Sequence, residues 1–156
     1  MEPNSKRSNG LFGKIVESFP ALFEELEKSP SCQRLEIPQN LTQGIYVFYE
    51  NGEPQYVGRC GRKGRLKKRI LEHSRPSSGH NTATFAFLIA KEELDKRDPT
   101  LSRIDIEKTP EFHEAKQKIA LMQIKYLEIE DPITQTLFEV YAALELGTPY
   151  NNWETH

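Results

Sequence analysis

A few groups of residues in this 156-residue sequence have the types and spacing for chemistry on a phosphate. Arg69 and His73 stand four apart, one turn of a helix, so their side chains share a face. Arginine offers a planar two-pronged donor to phosphate, and histidine a nitrogen that titrates near neutrality. Glu139 lies between Phe138 and Val140 in a segment apolar almost all round. A carboxylate with little solvent face to occupy must pair, hydrogen-bond or hold a cation. Tyr46 and Tyr56 sit in adjacent strand-like segments. Arg59, Arg62, Lys63, Arg65, Lys67, Lys68, Arg69 and Arg75 crowd into one stretch against a single Glu72, a net +7 that leaves −9 for the other residues. Each group also has a plain structural explanation: a solvated helix face, good sheet formers, an exposed helical glutamate.

Those residues need elements to position them. Residues 11–28 carry Leu11, Phe12, Ile15, Val16, Phe19, Leu22, Phe23 and Leu26 at helical spacing, interrupted by Pro20, which predicts a kinked helix or two short ones. Residues 29–43 read as a connector. From Gly44 the pattern turns to strands, GIYVFY and Gln55–Gly58, around Glu50-Asn51-Gly52. Helices are expected from Gly64 to about Ser74 and from Asn81 to Lys96, the second burying Phe85, Leu88 and Ile89. A loop around 98–102 precedes a helix opened by Thr109-Pro110-Glu111. A strand over 120–129 follows, and Asp131-Pro132 opens a last helix that stops at Gly147. Within that helix Ile133, Leu137, Val140, Tyr141 and Leu144 form one stripe, while Phe138, Ala142, Ala143 and Leu146 cover most of the rest. It should therefore pack on more than one side, with Glu145 a weaker candidate than Glu139.

The hairpin admits two registers. Asn51-Gly52 as a two-residue type I′ turn pairs Glu50 with Glu53 and Val47 with Tyr56, sending Tyr46 and Tyr56 to opposite faces. A three-residue loop closing on Tyr49 and Glu53 instead sets Tyr46 directly opposite Tyr56 and puts Pro54 at a position that bonds no neighbour. The second is preferred because it seats the proline. On the following helix Leu66 and Ile70 should anchor to the sheet, with Arg69 and His73 beside that stripe and Arg65, Lys68 and Glu72 toward water.

Length and composition bound the rest. One α+β domain is expected, with 1–40 as an N-terminal helical arm and connector and 41–156 as the catalytic unit. No apolar run reaches the roughly 20 residues needed to cross a bilayer, and MEPNSKRSNG is not a signal peptide. A cytoplasmic protein with no membrane contact is the expectation. Cys32 and Cys60 lack the spacing of a zinc site or a disulfide framework. GRCGRKG at 58–64 lacks the ending of a phosphate-binding P-loop.

Gly44-Ile45-Tyr46 and Tyr56-Val57-Gly58 resemble the two halves of the motif that names the GIY-YIG nucleases. Arg69 with His73, Glu139 in a late helix and Asn151 after Pro149-Tyr150 follow in that family's order, over residues 44 to about 152. The resemblance implies a small central antiparallel sheet, about three-stranded, flanked by helices, and a divalent-metal-dependent endonuclease acting on DNA, RNA not being excluded. By the same resemblance Glu139 would hold Mg²⁺ or Mn²⁺ with waters completing the shell, and Tyr46 would activate the attacking water. Tyr56 would position water or phosphate, Arg69 would stabilise transition-state charge, His73 would assist proton transfer or hold the phosphate, and Asn151 would orient groups around the metal. Arg59 stands where some members have lysine, and it binds phosphate but is a poor proton shuttle. Asn152 follows directly, leaving two positions for the family's asparagine. Arg59, Arg62, Lys63, Arg65, Lys67, Lys68 and Arg75 would hold the nucleic acid. The alternative is a non-catalytic nucleic-acid-binding module using 59–75. The N-terminal arm could join two copies or bind a partner protein.

Overall fold

The computed structural model describes residues 10–153. The arm forms two helices, α1 (Leu11–Glu17) and α2 (Phe19–Lys28), separated at Ser18 just before Pro20. A 3₁₀ turn (Arg34–Glu36) leads to the hairpin β1 (Gly44–Glu50) and β2 (Glu53–Cys60). Then come α3 (Leu66–Glu72), α4 (Thr84–Asp95), α5 (Arg103–Glu107), α6 (Pro110–Ala120), β3 (Gln123–Glu128) and α7 (Pro132–Leu146). The chain is thus α+β, with a three-stranded antiparallel sheet in the order β2-β1-β3 and helices around it.

Alternation along the central strand splits the core in two. Tyr46 and Phe48 face a cluster with Leu66, Ile70, Phe85, Phe112 and Ile124 under α3, α4 and α6. Ile45 and Val47 face Phe19, Leu26, Val57, Leu127 and Phe138 under α2 and α7. The second cluster gives the N-terminal arm its place: Phe19 meets Phe138 edge-on at 5.4 Å and Tyr141 at 5.2 Å between ring centroids. The arm is therefore a layer of the core. Leu11 and Phe12 nevertheless remain exposed.

Local signals place most helix ends. Thr109 and Asp131 accept hydrogen bonds from the backbone N–H groups of Phe112 and Thr134, and α7 stops at Gly147 in the left-handed conformation. The helices expected over 64–74 and 81–96 are shorter, at Leu66–Glu72 and Thr84–Asp95, and α4 also buries Ala86, Phe87, Ala90 and Leu94 while Leu88 and Ile89 are only partly covered. The strand expected over 120–129 spans only Gln123–Glu128, because α6 runs on to Ala120. Helix α5, where no element was expected, is closed by a Ser102–Asp105 capping box.

One expectation is overturned and one holds only in part. The first is the hairpin register. Glu50 faces Glu53 and Tyr49 faces Pro54, the two-residue turn, with positive φ at both Asn51 and Gly52. Pro54 sits one step from that turn on an outer strand, where its missing N–H would point off the sheet, so this register seats the proline equally well. Gln55 then has no partner on β1, a bulge that shifts the pairing to Phe48–Tyr56, Val47–Val57 and Tyr46–Gly58. Without the bulge the tyrosines would lie on opposite faces. With it, Tyr46 and Tyr56 share a face as diagonal neighbours, and Tyr46 lies directly opposite Gly58.

The second concerns α7. Its buried side is Gln135, Phe138, Ala142 and Ala143, whereas Ile133, Val140 and Leu144 are exposed. The helix packs on the sheet and on both arm helices, and the face carrying Ile133, Val140 and Leu144 stays open.

Candidate active site

The close approach of Tyr46 to Gly58 builds the floor of the site. A Cβ on residue 58 would stand 2.3 Å from Tyr46 Cζ and 2.4 Å from its hydroxyl oxygen, so only glycine lets the ring lie there. The ring is 1% exposed. Its hydroxyl meets Nε2 of His73 at 2.6 Å. His73 caps the C-terminal end of α3 and is fully buried, its ring about 5.4 Å from those of Tyr46, Phe48 and Tyr56. Burial, and then Arg69, hold the imidazole well below its ordinary pKa, so it is neutral. Burial likewise pushes the Tyr46 hydroxyl well above the usual phenol range, with Arg69 opposing.

Arg69 is held from two sides. Its guanidinium donates to the Thr82 carbonyl oxygen at 2.8 Å and to Glu72 Oε2 at 3.4 Å. Glu72, expected in water, instead lies half-sandwiched between Arg69 and Arg65, whose guanidinium reaches Oε1 at 2.7 Å. The reason is electrostatic: two neighbouring arginines draw the one acid of the basic segment inward. Arg59 is steadied by fully buried Gln135, which accepts from it at 3.3 Å.

Glu139 comes to this group from α7, across the outer edge of β2. Burial pushes its carboxyl up to about 7, against the pull of Arg59 and Arg69. Its charge is felt at the hydroxyls of both Tyr46 and Tyr56. Tyr56 is partly exposed, with its hydroxyl 3.4 Å from Thr84 Oγ1. Tyr56, Thr84 and Glu139 line a cleft of about 290 Å³ whose further walls are Phe87, Arg103, Tyr150 and Trp153. Glu145 is exposed and is not part of that cleft.

The Asn151 amide is held by the backbone of β2. Its Oδ1 accepts from the Val57 N–H at 2.8 Å and from Thr148 Oγ1 at 2.6 Å, while its Nδ2 donates to the Val57 carbonyl at 2.8 Å. The Tyr150 N–H adds a bond to the Gln55 carbonyl at 3.2 Å. The amide acts as a strand residue would, pinning the C-terminal segment beside Tyr56. Asn151 and Asn152 both line the cleft.

Of the basic residues, Arg62, Lys63 and Lys68 are exposed, and Arg65, Lys67 and Arg75 partly so, forming a rim around α3. The loop from 75 to 82 behind it is fixed by Lys116, 3% exposed, which donates to the carbonyls of Pro76 at 2.7 Å and Ser78 at 2.9 Å. His80 Nδ1 meets Glu107 Oε2 at 2.6 Å in the same region.

Sequence reasoning missed Thr84, Arg103, Gln135 and Trp153. Arg103 stacks 4.2 Å above the Phe87 ring at the far wall of the cleft. Nothing local marked it, because it belongs to the unexpected α5. Among the described residues no group of three or more His, Cys, Asp or Glu side chains comes together. Glu139 would therefore be the sole acidic protein ligand of an ion there. That donor set suits Mg²⁺ or Mn²⁺, which keep several waters and take one or two carboxylates, and does not suit zinc.

No family model matches the chain, and neither the curated proteins nor the solved structures include a significant match to it. Among the described residues no helix is long and apolar enough to cross a membrane.

Proposed function

We propose that this chain is a divalent-metal-dependent endonuclease of the GIY-YIG type, hydrolysing phosphodiester bonds in DNA. The observation that carries the reading is Glu139, half-buried beside Tyr56 in one cleft and within electrostatic reach of Arg59, Arg69 and the hydroxyls of both tyrosines. The clustered positive charge supplies the sequence-independent part of nucleic-acid affinity.

Each residue has a task in that reading. Arg69, fixed by Thr82 and Glu72, takes a non-bridging oxygen of the scissile phosphate and stabilises its growing negative charge. Arg59 assists from the Gln135 side. With the Tyr46 O–H donated to His73 Nε2, the Tyr46 oxygen keeps lone pairs for a water proton. The water gives its proton to Tyr46 as Tyr46 passes its own to the imidazole, which can accept only because it is neutral at rest. Tyr56 orients the water or the phosphate. Glu139 would hold Mg²⁺ or Mn²⁺, which when bound polarises the phosphate and stabilises the leaving oxygen.

The near-complete burial of Tyr46 favours a second reading, a nucleic-acid-binding module in which Tyr46 and His73 are core residues. Nicking of supercoiled plasmid in Mg²⁺ separates the two. Wild-type protein should nick, and Glu139→Ala should bind the DNA with unchanged affinity and leave it intact. Cleavage retained in Glu139→Ala would remove the metal assignment.

A further inference from the structure

The cleft at Glu139 is larger and more aromatic than holding one phosphate and one ion requires. Four of its lining residues are the rings Tyr56, Phe87, Tyr150 and Trp153, and Arg103 lies flat on Phe87. Trp153, about half exposed, is the single tryptophan of the chain. Rings in a cleft with one cation, Arg103, in its wall suit a flat, neutral, π-faced ligand.

The surrounding charge decides which part of a nucleic acid goes where. Behind Tyr150 and Trp153 lies a second recess of about 730 Å³, lined by Glu92 and Asp95 with only Lys91 to balance them. That acidic ground repels a sugar-phosphate chain, while Arg59 and Arg69, which act on Glu139, attract it. The backbone would therefore stay with the arginines, leaving the neutral base to enter the aromatic cleft.

We infer that this cleft is a nucleobase subsite, taking an unstacked base next to the phosphate held by Arg59 and Arg69. Resting on the nuclease reading, it narrows the substrate class to nucleic acid with an unpaired nucleotide at the cut. A paired base in a duplex exposes only its edges, whereas ring-on-ring stacking needs its faces free. Both single strands and extruded bases in a duplex present such a face.

Two duplexes that differ only at one bulged nucleotide, adenine in one and abasic in the other, carry the same phosphate charge and isolate the base. Titrated without metal against the full chain, the adenine bulge should quench Trp153 emission and bind about tenfold tighter than the abasic one. An adenine-bearing single strand should quench as well, and a fully paired duplex should not. Read by anisotropy of fluorophore-labelled duplexes, since no tryptophan then remains, Trp153→Ala should erase the affinity difference between the bulges without weakening the abasic complex, and Trp153→Phe should restore most of it. Equal affinities for the two bulges overturn the subsite. If plasmid is still nicked in Mg²⁺, the nuclease reading survives that loss. Base-dependent quenching without any nicking supports the subsite and removes the nuclease reading, and no binding to any probe overturns both.

Discussion

The Tyr46 hydroxyl and His73 Nε2 stand 2.6 Å apart, both side chains closed off from solvent. The other ring nitrogen of His73 has no hydrogen-bond partner among the described residues. A fully buried imidazole with one satisfied nitrogen is expensive as a packing element.

That neutrality has a consequence for stability. His73 titrates well below its ordinary value when folded, from burial and Arg69. The unfolded chain therefore binds the proton first, and stability is lost as pH falls below about 6.5, the unfolded value. Because Glu139 titrates over the same range, urea titrations from pH 8 to pH 5 should show that loss in a Glu139→Gln background, and adding His73→Phe should flatten the slope. An unchanged slope in the variant would place the effect elsewhere. Tyr46→Phe, which strips His73 Nε2 of its partner, should cost about 1–3 kcal/mol.

Glu139 behaves in the opposite sense. Its carboxyl is raised to about 7, so the folded chain holds a proton that the unfolded chain releases near 4.3. Its contribution turns unfavourable as pH rises from about 4.3 to about 7. Glu139→Gln should raise the metal-free melting temperature at pH 8 and leave it nearly unchanged at pH 4. Added Mg²⁺ or Mn²⁺ should stabilise wild type at pH 8 and not the glutamine variant, as calorimetry can record.

Gly58→Ala tests the floor of the site. The new methyl collides with the Tyr46 ring, which cannot retreat from a full core. A destabilisation of about 1–3 kcal/mol is expected from the overpacking, together with loss of plasmid nicking. Denaturant melts and nicking assays on the same preparation check both.

Glu72→Ala should leave Arg69 tied only to Thr82. Cleavage should slow by roughly ten- to a hundredfold, as when a group that orients a catalytic side chain is removed, while Kd for DNA changes little. A fall in affinity with unchanged kcat would make Glu72 a binding residue instead.

Lys116→Met should loosen the loop from 75 to 82. The buried Ser78 carbonyl loses its donor, at a cost of about 1–3 kcal/mol, while the exposed Pro76 can turn to water. Hydrogen exchange should rise first in residues 77–80, before the sheet responds.

Much of this architecture was legible because its signals are local. Thr109 and Asp131 name their helices' starts within three residues, and Gly147 names an end. What escaped depends on distant partners. The bulge at Gln55 and the contact of Tyr46 with Gly58 are decided across strands, where turn chemistry has no say. Asn151 finds Val57 across 94 positions of sequence, so its amide could not be assigned from neighbours. Helix α5 is five residues long, too short to display a period. The exposure of Ile133, Val140 and Leu144 shows the converse: an all-round apolar pattern does not say which sides find company.

The Asn151 amide and the Cys32 backbone share a further effect. Cys32 exchanges two hydrogen bonds with Ile124 on the outside of β3, at 2.9 and 2.8 Å, as Asn151 does with Val57 on the outside of β2. Both margins of the three-stranded sheet are thus capped at mid-strand by the chain itself. An extended peptide arriving from another molecule finds no continuous row of backbone donors and acceptors to join. Growth of the sheet into fibrils or strand-swapped pairs is blocked while these caps hold, and self-association is left to the helical surfaces.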